Sequence, residues 1–439
     1  MHWKYTTLLI CIYGIVKEFR PATPFLTPYL VTYKNVTAEE IYGQVYPFWT
    51  YSYMIFLIPI FFLTDILRYK PIIILEASCL VGTWVLLVWG EGVAQMQIMQ
   101  AIFGLSSASE IAYYSYMYAV VDEKNYKMVT SYIRAAAMVG KLLAYGLGQI
   151  LISTHAGSYL LLNQISLGAV CLVWFIALFL PSIKPEIKPN GSSNNLAASE
   201  NEPNEADITR GQVERRKLQN GLRVYFINTL RNFSIYKKNK VVLKWSIWWA
   251  LTSCGIYQVY NYMQTLWLEM QSDPSDVNNG IAEFAHTALG AVLSFVIQYL
   301  SINWKRYGEV TLCVSSFLIA GILAYLSQTS HIVIGYVGYV ICTGIYNMLI
   351  TAASANIATE LTNANYGLVF GWNTFVAVLL QTILTITVAD SHGFNLPIRE
   401  QFEVYSGFFA CVGVVFLVFV MIRWVSVCFC TRRRSLSVE

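Results

Sequence analysis

Apolar runs of about 20 residues, the length a helix needs to cross a hydrocarbon core of roughly 30 Å, alternate along the chain with short breaks at charges, Pro or Gly. Read on that pattern, the sequence predicts twelve transmembrane helices. Six lie near residues 5–19, 45–64, 71–89, 95–121, 128–152 and 158–180, and six near 241–263, 279–300, 309–326, 332–353, 366–389 and 402–424. The pattern stops between the sixth and seventh runs, where residues 183–240 are polar and charged. The expected organisation is an N-terminal six-helix half over 1–182, a cytoplasmic linker over 183–240, a C-terminal six-helix half over 241–427 and a tail over 428–439. The linker reads as disordered where Asn, Glu and Pro dominate, between Lys184 and Thr209, and as an amphipathic surface helix over 212–230. The first run lacks a small-residue cleavage site and continues through Lys17 and Glu18 into Arg20 and Pro21, so it reads as a span rather than a signal peptide.

Composition agrees with a membrane protein: 56% of the 439 residues are hydrophobic and 12% charged, against about 25% charged in a soluble domain. A soluble enzyme, a secreted disulfide scaffold and a single-span receptor are excluded. Seven of the nine cysteines (Cys11, Cys79, Cys171, Cys254, Cys313, Cys342 and Cys411) fall inside apolar runs as small hydrophobes, and no structural disulfide is expected. Cys428 and Cys430, beside Arg432, Arg433 and Arg434, suit either S-palmitoylation or free juxtamembrane thiols.

Charge fixes an orientation. With both termini inside, 21 Lys and Arg fall on the cytoplasmic side, 11 of them between Lys184 and Lys240, while the outer loops hold Arg20, Lys34 and Arg399. The net charge of +4 is therefore topological and implies no nucleic-acid partner. Of the three glycosylation sequons, those at Asn190 and Asn232 lie in the linker, and Asn35, in the first outer loop, is the one expected to be modified. The layout is that of a major facilitator, and Asp65, Arg68 and Lys70 between the second and third spans resemble the charged loop that locks its inner gate.

An ionisable group at the bilayer centre costs about 2.5–3.5 kcal/mol, so each one is a functional candidate. Gln100, Phe103, Ser107, Glu110, Tyr114 and Tyr118 form one stripe on the fourth span, and Arg134, Met138, Lys141 and Tyr145 form another on the fifth. Glu110 reads either as a substrate or proton-binding carboxylate or as the partner of Arg134 or Lys141. Lys141 reads as facing the cavity, Arg134 and Glu76 as packing or gating residues, and Lys17 and Glu18 as rim charges. Tyr257, Gln258, Tyr260, Asn261 and Gln264 on the seventh span, Asn279, Glu283 and His286 on the eighth and Gln381 on the eleventh suit either a planar heteroaromatic ligand or bonding between helices. No Walker loop, metal-spaced cluster or nucleophile elbow is present, so neither an enzyme nor a metal or cofactor is expected.

Several segments, in order, resemble the reduced folate and thiamine carriers, solute carrier family 19. They are Arg20-Pro21 with Pro24-Phe25-Leu26 and Pro28-Tyr29-Leu30, Trp49-Thr50-Tyr51-Ser52-Tyr53, Leu63-Thr64-Asp65 with Arg68-Tyr69-Lys70-Pro71, and Glu110-Ile111-Ala112-Tyr113. In the second half they are Gln258, Asn261-Tyr262, Gln264, Leu266-Trp267, Leu368-Val369-Phe370-Gly371, Asn373-Thr374-Phe375 and Thr382-Ile383. The resemblance implies uptake of a water-soluble B vitamin across the plasma membrane by alternating access, with a cavity lined by Trp49, Thr83, Trp84, Glu110, Asn261 and Gln264.

The substrate follows from cavity charge, because reduced folates are dianions and thiamine is a cation. The resemblance implies a basic residue at Glu110 and a lysine at Gln381 in folate carriers, which favours thiamine here. It also implies acids where this chain has Thr23 and Gln100, and a tyrosine of the thiamine site where it has Lys141. Those three changes favour an anion. Folate is ranked first, with a site formed by Trp49, Thr83, Trp84, Gln100, Glu110, Tyr114, Lys141, Tyr257, Asn261, Gln264 and Gln381 and gated by Asp65, Arg68 and Arg134. Thiamine, with Lys141 neutralised by Glu110, is the alternative, and a non-transporting vitamin receptor is the third reading. Coupling to a proton or a counter-anion is left open.

Overall fold

Every regular element is helical among the residues described by the computed structural model, which are 3–121, 126–182, 234–271, 277–297, 303–361 and 366–435. Numbered in chain order, the long helices of the first half are α1 (Trp3–Glu18), α2 (Tyr46–Leu67), α3 (Lys70–Trp89), α4 (Gly92–Val120), α5 (Tyr126–Ser153) and α6 (Tyr159–Phe179). Those of the second are α7 (Lys240–Met270), α8 (Asn279–Val296), α9 (Trp304–Gln328), α10 (Ile332–Glu360), α11 (Tyr366–Leu384, continued by a π-helical turn over Thr385–Ala389) and α12 (Ile398–Ser435). The expected surface helix over 212–230, the rest of the linker up to residue 233, and the side chains of Asp65, Tyr118, Cys428 and Cys430 lie outside the described residues.

Local chemistry sets the helix ends. Asn239 caps α7 by accepting from the amides of Val241 and Val242, and the Ser158 hydroxyl accepts from Leu161 at the start of α6. Arg68 ends α2 in the left-handed region (φ 59°), and Pro71 in the first turn of α3 restarts the chain. Helices α7, α10 and α12 run past the ends expected at 263, 353 and 424, since their extra turns leave the apolar slab and the backbone ladder does not need it.

Eight of the described helices are long and apolar enough to cross a membrane: α2 with the turns before it, α3, α5, α6, α9, α10, α11 and α12. The protein is an integral, multi-pass membrane protein. Helices α1, α4, α7 and α8 fall short of that measure, because α1 is 16 residues long and the others carry polar side chains along their length. A side chain turned toward a polar interior need not be apolar.

Packing is mainly within α1–α6 and within α7–α12, with α5 against α8 and α2 against α11 joining the two sets. Close approach of α1 and the turn that follows it to α5 depends on glycine. A Cβ at Gly140 would meet the Ile15 carbonyl oxygen, and one at Gly148 would lie 2.7 Å from the Pro21 carbonyl oxygen.

Hydrogen bonds between the two sets gather at one end. Gln264 accepts from the Thr27 amide (3.2 Å) and donates to the Thr23 carbonyl (3.0 Å), Asn279 donates to the Pro24 carbonyl (3.0 Å), and Gln149 donates to the Val277 carbonyl (3.0 Å). The Ser391 amide donates to the Gly43 carbonyl (2.9 Å), and the Tyr51 hydroxyl donates to Asp390. This end carries Arg20, Lys34 and Arg399, and the molecule is closed there.

Candidate substrate cavity

Helix α1 brings a lysine into an interior with two acids. Lys17, 5% exposed, lies 2.6 Å from Glu76 of α3 and 2.9 Å from Glu110 of α4. Glu76 is 1% exposed and also accepts from the Tyr13 hydroxyl (3.1 Å), whereas 37% of the Glu110 side chain is exposed. The Lys17 ammonium sits 4.7 Å from the Tyr113 ring centroid. Desolvating three charges is tolerable only because each acid meets the same cation at hydrogen-bond distance.

One residue further along, Glu18 points to α5. Its carboxylate is 2.8 Å from Arg20 and 3.8 Å from Lys141, and the Arg20 guanidinium stacks over Trp84 (5.5 Å) and Phe103 (5.9 Å). Lys141 is 41% exposed and lines, with Tyr114, Arg134, Ala137 and Met138, a cavity of about 320 Å³, within the range of small-molecule sites of about 300–1,000 Å³. On α5 the cavity lies toward the N-terminal side, away from the latch at Gln149.

These pairings correct two expectations. Glu110 is matched by Lys17 and not by Arg134 or Lys141, because the approach of α1 to α3 and α4 places the lysine first. Lys17 and Glu18 are buried network residues rather than rim charges, 4% and 6% exposed, and Glu76, read as a packing or gating residue, is buried in the same network. Their place in an apolar run was the signal: a charge inside a span seeks the interior.

The second set faces this network. Helix α8, which carries Glu283 and His286, packs against α5, which carries Lys141. Glu283 accepts from Tyr339 (2.9 Å), and His286 packs between Tyr260 and Tyr339 at ring distances of 5.5 and 5.4 Å.

The remaining sequence candidates are spread around this centre. Trp49 is half-buried, donates to Ser107 (3.0 Å) and packs on Tyr53. Tyr114 is exposed on the cavity, and Asn261 is half-buried with its Nδ2 unbonded. Trp84 and Gln100 are buried. Thr83 is buried with its hydroxyl turned back to the Cys79 carbonyl, and Gln264 is occupied by the latch. Gln381 is fully buried with both side-chain amide atoms unbonded, while its carbonyl accepts from Gln258. Of the gating candidates, Arg68 is exposed at the turn after α2 and Arg134 is exposed on the cavity.

A polar cavity between α4 and α5, in two helical sets hydrogen-bonded together at one end, sits in a fold shared with solved membrane transporters. The fold matches that of the POT family transporter PepTSo (TM-score 0.67, 12% identity, 97% of this chain and 99% of that one) and of a D-xylose-proton symporter (TM-score 0.64, 10% identity, 94% and 97%). Residues 1–404 match the family described as reduced folate carrier, and the chain belongs to that family. It is 56% identical over 423 residues to Folate transporter 1 of Caenorhabditis elegans, covering 96% of this chain and 93% of that protein. It is 39% identical over 443 residues to Thiamine transporter 1 of Homo sapiens, covering 94% and 89%. Folate-like transporter 3 of Caenorhabditis elegans is 40% identical over 414 residues, covering 94% and 95%. The chain is thus a membrane carrier and not an enzyme.

Proposed function

We propose that the chain is a plasma-membrane secondary transporter that takes up a reduced folate by alternating access. The observation that carries this reading is a charge imbalance. The charged residues that line the cavity are Arg134 and Lys141, whereas the partly exposed Glu110, one helical turn before the cavity residue Tyr114, is matched inside the protein by Lys17. A reduced folate offers carboxylates for the two cations and a flat heteroaromatic ring for Trp49, Tyr114, Tyr257 and Asn261. The 56% identity to Folate transporter 1 supports the same choice. Thr83, Trp84, Gln100, Gln264 and Gln381 complete the site on this reading, with Asp65, Arg68 and Arg134 at the gate.

The chain crosses the bilayer twelve times with both termini in the cytoplasm, so the latched end faces outside and the cavity communicates with the inner side. Breaking the Gln264, Asn279 and Gln149 bonds is then the step that opens it outward. Either an inward proton or a departing organic anion drives the cycle.

Uptake of radiolabelled reduced folate and thiamine, side by side in cells lacking their own carriers and at acidic and neutral pH, tests the proposal. Saturable folate uptake without thiamine uptake is expected. Thiamine uptake alone supports the second reading, which the partial exposure of Glu110 and the 39% identity to Thiamine transporter 1 favour. Saturable binding without flux indicates a receptor.

A further inference from the structure

Lys17 occupies the position a bound cation would take. Its ammonium lies 2.9 Å from the partly exposed carboxylate of Glu110 and 2.6 Å from the sealed carboxylate of Glu76, and is 5% exposed. It also stands 4.7 Å from the face of Tyr113, so two carboxylates and an aromatic ring surround it. That is the environment a protein builds for an organic cation. Here the cation is tethered to α1. Without it, the partly exposed Glu110, one helical turn before the cavity residue Tyr114, would carry an unmatched negative charge.

We propose that Lys17 is a specificity-determining residue, a built-in cation that fills the Glu110 carboxylate and so closes the cavity to organic cations while leaving Arg134 and the partly neutralised Lys141 to select anions. The inference deepens the anion-carrier reading and rests on it for the identity of the normal substrate. Glu76 is the second anchor, holding Lys17 in place when Glu110 moves.

The test removes the tethered cation without leaving two buried acids unmatched. In Lys17→Met with Glu76→Gln, one positive and one negative charge are lost together and the partly exposed Glu110 alone remains unmatched. Surface biotinylation is followed by uptake of labelled thiamine, the cationic probe, and of labelled reduced folate. The ratio of thiamine to folate uptake is expected to rise by about tenfold or more over the unmodified chain, the order of effect of unpairing a buried charge. Glu110→Gln, which leaves Lys17 paired with Glu76, should gain no thiamine uptake.

If Lys17 only holds helices together, both uptakes fall in parallel and the ratio stays where it was, which overturns the inference. Thiamine uptake by the unmodified chain also overturns it, since Lys17 would then exclude nothing. If the first pair of substitutions does not reach the surface, Lys17→Gln with Glu76→Gln keeps a neutral donor of similar reach and is read the same way. The folate reading is judged separately, from folate uptake by the unmodified chain. Its failure leaves the gain of thiamine uptake by the double variant as the readout for Lys17.

Discussion

Lys141 lies 3.8 Å from the Glu18 carboxylate, yet 41% of its side chain stays exposed to the cavity it shares with Arg134. Glu18 is already bound at 2.8 Å by Arg20, so Lys141 is only partly neutralised and keeps positive charge for a ligand. Lys141→Glu would set two carboxylates against each other and reverse the sign of this wall. Folate uptake should fall by at least about tenfold while surface biotinylation is unchanged. Normal uptake by that variant would remove Lys141 from the site.

Gln264 makes two hydrogen bonds across the latch, to the Thr27 amide and the Thr23 carbonyl. Each is worth about 1 kcal/mol, so Gln264→Ala should favour the state open at that end by roughly thirtyfold. In a background carrying Met138→Cys as a cavity reporter, an impermeant thiol reagent added outside should label faster once Gln264 is replaced. Equal labelling rates would assign the closure to other contacts.

Asp390 follows the π-helical turn after α11 and accepts from Tyr51 and from the His392 amide. Partial burial opposes ionisation, but these hydrogen bonds prevail and hold the carboxyl below the usual carboxylate range. A depressed folded-state value means that the stabilisation is present above about pH 4, where the unfolded carboxylate is ionised, and is lost as pH falls through the lower folded value. Thermal melting in detergent should therefore lose more stability in the native chain than in Tyr51→Phe when the buffer is taken from pH 6 to pH 3. Parallel losses would place the acid sensitivity elsewhere.

Gly140 lets α5 approach α1 closely enough for Lys141 to reach Glu18. Its Cβ would meet the Ile15 carbonyl oxygen and lie 3.1 Å from the Glu18 Cβ. Gly140→Ala should cost about 1–3 kcal/mol through overpacking, seen as a lower melting temperature. Gly168→Ala in α6, where nothing lies within 4 Å of the new Cβ, is the control and should leave melting unchanged or raised.

Asn35 is exposed, with a left-handed backbone (φ 52°), and Thr37 of its sequon caps the next short helix. If it faces outside and is glycosylated, Asn35→Gln should run faster on a gel by the mass of one glycan, matching the enzymatically deglycosylated chain. Identical mobility would leave the first outer loop unmodified.

Hydrophobic periodicity and charge asymmetry were enough to read a multi-pass helical membrane protein from the chain, because burial in lipid demands apolar runs of fixed length whatever the helices touch. The segments around Glu110, Asn261 and Gln264 likewise pointed to the carrier family, and the stripe on α5 to Lys141 on the cavity. Pairing was not legible in the same way. Lys17 and Glu76 are 59 residues apart and Lys17 and Glu110 are 93 apart, and no local spacing states which charge will meet which. That was decided when Gly140 let α1, and Gly148 the turn after it, seat against α5 and α1 met α3 and α4, for a buried charge goes to the nearest opposite charge that packing offers. The latch has the same origin, since amides such as Gln264 and Asn279 bond whatever backbone the tertiary fold brings to them. The sequence determined which residues avoid lipid, and the tertiary structure decided what each of them faces instead.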